Sequence, residues 1–170
     1  MYVSRRGGVA LLAASALAGS ATTAVGALGH EGGQGGGDGH RAALRTALVP
    51  SVPTDPALLG AAAGGVPWVL RPSEARLRSD GSLRVRIRGL LIPSGPAAGT
   101  TGPVKTVSVS VYCAANSTPV GTSDAVPLSS QGDARIDTTV SLPAKCQIPA
   151  LLVHPNGALG DYIASSGLGS

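Results

Sequence analysis

The chain has 170 residues, 13 Lys+Arg against 9 Asp+Glu, and 43% hydrophobic but only 2% aromatic residues, with no Phe. That length suits one domain with a tail and excludes a two-domain enzyme. Gly (25) and Pro (13) are too frequent for a helical bundle or a long coiled coil, and a charged fraction of 13% excludes a highly charged disordered chain.

The first predicted element is an address, over residues 1–27. Arg5 and Arg6 precede the apolar run Val9–Ala18, and small residues lead to Val25-Gly26-Ala27. This is the pattern of a secretory signal peptide with its cleavage site. The apolar run is too short to span a bilayer of ~30 Å, so the mature chain is expected to carry no transmembrane anchor. Ser4-Arg5-Arg6 matches twin-arginine export loosely, which leaves the route open. Removing Arg5 and Arg6 with the leader leaves 11 basic and 9 acidic residues, a net charge of +2.

Residues 28–65 read as a flexible linker. Gly32–Gly39 has maximal backbone freedom and nothing to bury, Pro50, Pro53 and Pro56 follow, and a brief helical turn fits 41–48. His30, Glu31, Asp38 and His40 are metal-ligand types, but a metal needs ligands at fixed distances, which this stretch does not supply; no metal or cofactor is expected.

Residues 66–168 alternate short apolar runs with Gly, Pro, Asp and Ser. After Trp68-Val69-Leu70, the runs are 74–78, 82–92, 104–114, 120–128, 134–142, 150–154 and 161–164. Seven to eight short antiparallel strands at this spacing predict an all-β fold, a single small β-sandwich or barrel. Its core must be built from Val, Leu and Ile, with Trp68 as the largest piece.

The sharpest local geometry is the hairpin around Ser79-Asp80-Gly81. A two-residue Asp80-Gly81 turn would set Leu77 against Arg84. A three-residue loop instead sets Leu77 against Leu83 and Ala75 against Val85, with Gly81 left-handed, and keeps one face apolar. That register gathers Arg76, Arg78, Arg84, Arg86 and Arg88 on the opposite face with Glu74. Residues 71–88 hold six Arg against Glu74 and Asp80, more charge than the whole mature chain carries net.

Cys113 and Cys146 are the only cysteines, and in an exported chain they are expected to form a disulfide. Neither belongs to a CxxC pair or a Cys/His signature, so a reactive thiol is not expected. His154 is the only His of the predicted domain, and the Asn156-Gly157 turn signal puts it at a strand end beside a loop. A hydrolytic site would need it, with Asp161 or another carboxylate orienting the ring and an unrecognised Ser or Asp beside it. No G-x-S-x-G elbow, phosphate loop, dinucleotide fingerprint or zinc spacing is present. Nothing forces two of Asp133, Asp137 and Asp161 together as an acid–base pair. Asn116-Ser117-Thr118 matches a glycosylation sequon but is followed by Pro119 and reads as a loop.

Several runs carry a resemblance: Pro67-Trp68, Asp80–Arg86, Arg88-Gly89-Leu90, Ile92-Pro93, Cys113, Gly132–Ile136, Leu142-Pro143, Cys146 and Pro155-Asn156-Gly157 through Tyr162-Ile163-Ala164. Together they resemble a family of small, uncharacterised secreted actinobacterial proteins. The resemblance implies secretion and one shared domain, and no reaction. A looser similarity joins the 81–90 hairpin to superoxide-dismutase-like sandwiches, whose His-rich copper ligands are absent here.

Two functions compete. The first is a secreted, non-catalytic β-domain binding an extracellular or cell-envelope component, such as an anionic envelope polymer or another extracellular protein. The second is a small secreted hydrolase using His154. Nucleic-acid binding fits poorly, with few aromatics to stack bases and an export signal pointing elsewhere. For the arginine face itself, a solvated edge that blocks aggregation competes with an anion-binding surface.

Overall fold

The computed structural model describes residues 42–114 and 116–167. The predicted leader and the Gly-rich segment with His30, Glu31, Asp38 and His40 lie outside the described residues. Eleven strands and no helix are present among them: β1 (Ala42–Pro50), β2 (Ala62–Ala63), β3 (Glu74–Arg78), β4 (Ser82–Ile87), β5 (Thr106–Tyr112), β6 (Gly121–Thr122), β7 (Val126–Pro127), β8 (Ala134–Thr139), β9 (Ala150–Pro155), β10 (Asp161–Tyr162) and β11 (Ala164–Ser166). The all-β class expected from the turn spacing is the class observed.

Nine strands form one antiparallel sheet in the order β6-β5-β9-β11-β1-β3-β4-β8, with β7 also on β5. The sheet curls as a half-barrel. A Cβ on Gly121 of β6, at one edge, would lie 2.9 Å from the side chain of Val140, just past β8 at the other. Alternate residues of each strand point inward. Leu77, Leu83, Val107, Val109, Val111, Leu151 and Val153 are all fully buried, and Trp68 joins the same cluster. The aliphatic core expected of a chain without Phe is therefore in place.

The β3–β4 hairpin has the three-residue loop. Leu77 lies opposite Leu83, Ala75 opposite Val85 and Arg76 opposite Arg84, with Gly81 at φ 85°. The Asp80 carboxylate accepts a 2.8 Å bond from the Ser82 N–H and closes the turn. β5 and β9 are buried on both faces. On their outer face Tyr112 and Leu152 form a second cluster with Ala61 and with Tyr162 of the separate parallel pair β2–β10.

The domain begins earlier than residue 66. The stretch 42–65, assigned to the linker from composition, is built into the fold. β1 sits mid-sheet, pairing with β3 on one side and β11 on the other. The helical turn fitted to 41–48 is strand from Ala42 onward. Beyond it the chain is stitched to residues 160–163: the Ser51 N–H donates to the Ile163 carbonyl at 3.1 Å and the Tyr162 hydroxyl to the Pro56 carbonyl at 2.9 Å. The cause is tertiary. Ala, Leu and Arg favour helix locally, but a half-buried place between two strands overrides a preference of a few tenths of a kcal/mol per residue.

Candidate functional site

The outward face of β3, β4 and β8 is built by alternation. Ala75, Leu77, Leu83, Val85 and Ile136 fill the core, so their neighbours must face solvent. Register then sets the charges in rows. One row reads Glu74, Arg86, Arg135, and the next Arg76, Arg84, Asp137. β1 extends the second row with Arg45, directly opposite Arg76. The result is a shallow concavity of about 430 Å³ lined by Arg76, Arg78, Arg84, Arg86, Arg135 and the two carboxylates.

Two carboxylates serve three guanidinium groups. Glu74 holds Arg76 at 3.2 Å, and Asp137 holds Arg84 at 3.3 Å and Arg135 at 3.4 Å. Each is an exposed pair worth at most about 1 kcal/mol. Arg76 and Arg84, like charges opposed across the hairpin, are thus drawn to acids on opposite sides. Among the described residues no carboxylate comes within ion-pair distance of Arg45, Arg78 or Arg86.

Of the five arginines singled out from sequence, four line the concavity. Arg88 follows the end of β4 and does not line it, its charge acting instead on Asp133. Arg45 and Arg135 were missed. Arg45 lay in the supposed linker, and Arg135 becomes a neighbour only through the long-range β4–β8 pairing.

Asp133 is a structural anchor. Its carboxylate accepts 2.8 Å from the Gly89 N–H and 3.0 Å from Arg71. The Gly89 bond chiefly, with Arg71 and Arg88 nearby, holds its carboxyl below the usual range, opposite to a general acid. Asp137 is committed to Arg84 and Arg135.

His154 lies near the end of β9, beside the Asn156-Gly157 turn, and is completely buried. The hydrolase reading asks a carboxylate to orient its ring; here Nδ1 meets the backbone carbonyl of Asp161 at 2.7 Å. That contact makes Nδ1 the donor and leaves Nε2 as a bare acceptor. The residue directly opposite is Ser108, also buried, and neither Ser108 Oγ nor His154 Nε2 has a hydrogen-bond partner within the described residues. The pairing was invisible in sequence because Ser108 and His154 meet only through the β5–β9 register. The arginine concavity does not reach them, nor does an apolar pocket of about 170 Å³ beside Leu58, Leu59 and Ile148.

Burial also holds the His154 imidazole below its ordinary 6.5, partly offset by the Asp161 carbonyl and carboxylate. Above pH 6.5 both folded and unfolded forms are neutral and nothing is lost. Below it the unfolded chain takes the proton first, so stability declines as pH falls toward the lowered folded value, at up to about 1.4 kcal/mol per pH unit. Urea midpoints at about pH 7.5 and about pH 5.5 should fall for the unsubstituted protein and diverge less for His154→Gln. Parallel profiles would assign the acid sensitivity to another group.

Cys113 and Cys146 form a disulfide, with Cα atoms 5.0 Å apart. Asn116 caps its own loop, its side-chain oxygen accepting from the Thr118 N–H at 3.1 Å. Among the described residues no three His, Cys, Asp or Glu converge on a metal position, and no helix is long and apolar enough to cross a membrane. Comparison with protein-family models, with curated proteins and with solved structures gives no match to this chain.

Proposed function

We propose that this chain is an exported, non-catalytic binding domain that holds an anionic extracellular or cell-envelope polymer on the outward face of β3, β4 and β8. The observation that carries the reading is the register, which stacks Arg45, Arg76 and Arg84 in one row and sets Arg86 beside Arg135 in the next. Arginine suits the task because its planar fork grips phosphate or carboxylate through two donors. Six arginines against two carboxylates concentrate more positive charge on this surface than the mature chain carries net. The leader pattern and the disulfide are in keeping with an extracellular setting.

The test is retention on a column of immobilised anionic polymer. An Arg76→Ser/Arg84→Ser/Arg86→Ser variant should elute at clearly lower salt than the unsubstituted protein, since exposed charges are screened over about 10 Å at 0.1 M salt. Arg88→Ser/Lys105→Ser/Lys145→Ser removes equal charge away from the face and should elute near the unsubstituted protein. Equal elution of both triple variants would reduce the effect to net charge and sink the reading.

The hydrolase reading has one observation in its favour, the Ser108–His154 juxtaposition. Complete burial of His154 and a backbone carbonyl on Nδ1 in place of an orienting carboxylate weigh against it. An esterase and peptidase screen of native protein and His154→Ala decides it; activity lost in the variant would replace the binding proposal.

A further inference from the structure

The arginines are not scattered over the face. Arg135 on β8 lies directly across from Arg86 on β4, Arg84 lies two residues along β4, Arg76 lies across from Arg84 on β3, and Arg78 lies two residues further along β3. Taken in that order they descend the sheet as a staircase. Steps of about 4.8 Å between strands and about 6.8 Å along them make a diagonal of about 17 Å. The two carboxylates occupy opposite corners. Glu74 shares the first row with Arg86 and Arg135 but sits on the β3 side. Asp137 shares the second row with Arg76 and Arg84 but sits on the β8 side. A positive diagonal is thus flanked by one negative group on each side.

We infer that this face is a track for a linear polyanion with phosphodiester groups, lying obliquely across β8, β4 and β3. The inference rests on the binding function proposed above and adds the shape of the ligand. A chain of anions following the diagonal meets five guanidinium groups in succession and passes between the two carboxylates, each of which is already paired to arginine. A flat anionic surface covering the same area sets its charges against Glu74 and Asp137 as well, and like charges in contact work against binding. Glu74 and Asp137 therefore act as rims that set direction. The ion pairs they make engage Arg76 along β3, Arg84 across from β8 and Arg135 along β8. Arg78, at the far end of the diagonal, and Arg86, beside Arg135 near its start, have no such partner among the described residues, so their forks are free to take anions.

The comparison that tests this holds the headgroup constant and changes its arrangement. Linear poly(glycerol phosphate) and phosphatidylglycerol vesicles both present glycerol phosphodiesters, one along a chain and the other over a surface. At equal phosphate and moderate salt the protein should bind the polymer about tenfold or more tightly than the vesicles. Glu74→Gln/Asp137→Asn should strengthen binding to both and collapse that preference. Arg78→Ser/Arg86→Ser should weaken polymer binding while leaving Glu74, Asp137 and their ion pairs in place. Equal affinity of the unsubstituted protein for polymer and vesicle, or a rim variant with an unchanged ratio, would overturn the track while leaving anion binding standing. Binding to neither would overturn both.

Discussion

Gly81→Ala is expected to destabilise the domain by about 3 kcal/mol or more, a large loss for a single methyl group in a hairpin turn. Two costs act together. Gly81 has φ 85°, and an L-residue in the left-handed region costs roughly 1–2 kcal/mol. An added Cβ would also collide with the Val140 carbonyl, which is backbone and has no rotamer to escape into. The Gly81 carbonyl accepts the Val140 N–H at 3.0 Å, so the turn is fastened to the chain leaving β8, and relief of the clash must move that strand end. Gly157→Ala supplies the comparison. Its φ is 74° but nothing lies within 4 Å of the new Cβ, so only the backbone cost of about 1–2 kcal/mol remains. Urea unfolding of the three proteins measures the difference, and equal midpoint shifts would show that the collision relaxes freely. Because β4–β8 register sets Arg86 beside Arg135, Gly81→Ala should also weaken retention on an anionic polymer.

The residues around Gly81 show what a sequence reveals and where it stops. Local alternation was enough to fix the β3–β4 register, since only one loop length sets Leu77 against Leu83, and the charge row Arg76–Arg84 came with it. β1 was hidden. Ala43–Leu48 carries helix formers and follows a glycine-rich run, and its strand identity comes from β3 and β11, which lie at least 24 residues away. Losing β1 meant losing Arg45. Arg135 and Asp137 were legible as outward positions on a strand, but the strand's neighbour was not, so neither the Arg84–Asp137 ion pair nor the diagonal could be drawn. Arg88 shows the opposite error. Alternation carried past the end of β4 placed it on the face, where the chain has already turned toward Gly89 and Asp133. His154 stood out in the sequence as the only His of the predicted domain, but Ser108 did not, and only the β5–β9 pairing makes them neighbours.

Removing the disulfide as Cys113→Ala/Cys146→Ala should cost about 3–4 kcal/mol. The bridge spans a sequence separation of 33, and the stabilisation comes mainly from the freedom it denies the unfolded chain. The native side adds a local reason. Cys113 directly follows β5 and Cys146 lies in the segment leading into β9, so the bridge ties together the approaches to two paired strands. That segment has little else to hold it. Ile148 is 80% exposed and left-handed at φ 48°, and Ala114, also left-handed at φ 55°, donates to the Gln147 carbonyl at 2.8 Å. A β-branched residue in that region is strained, and strain persists only where the surroundings enforce it. Without the bridge, amide exchange should quicken first over residues 143–149, ahead of the β3–β4 hairpin, and the urea midpoint should fall with it. Polymer retention should stay unchanged while the domain is folded, because the arginines stand on β3, β4 and β8. The native protein should show no free thiol by mass spectrometry under non-reducing conditions. Two free thiols there, or a double-alanine variant as stable as the native protein, would make the bridge dispensable.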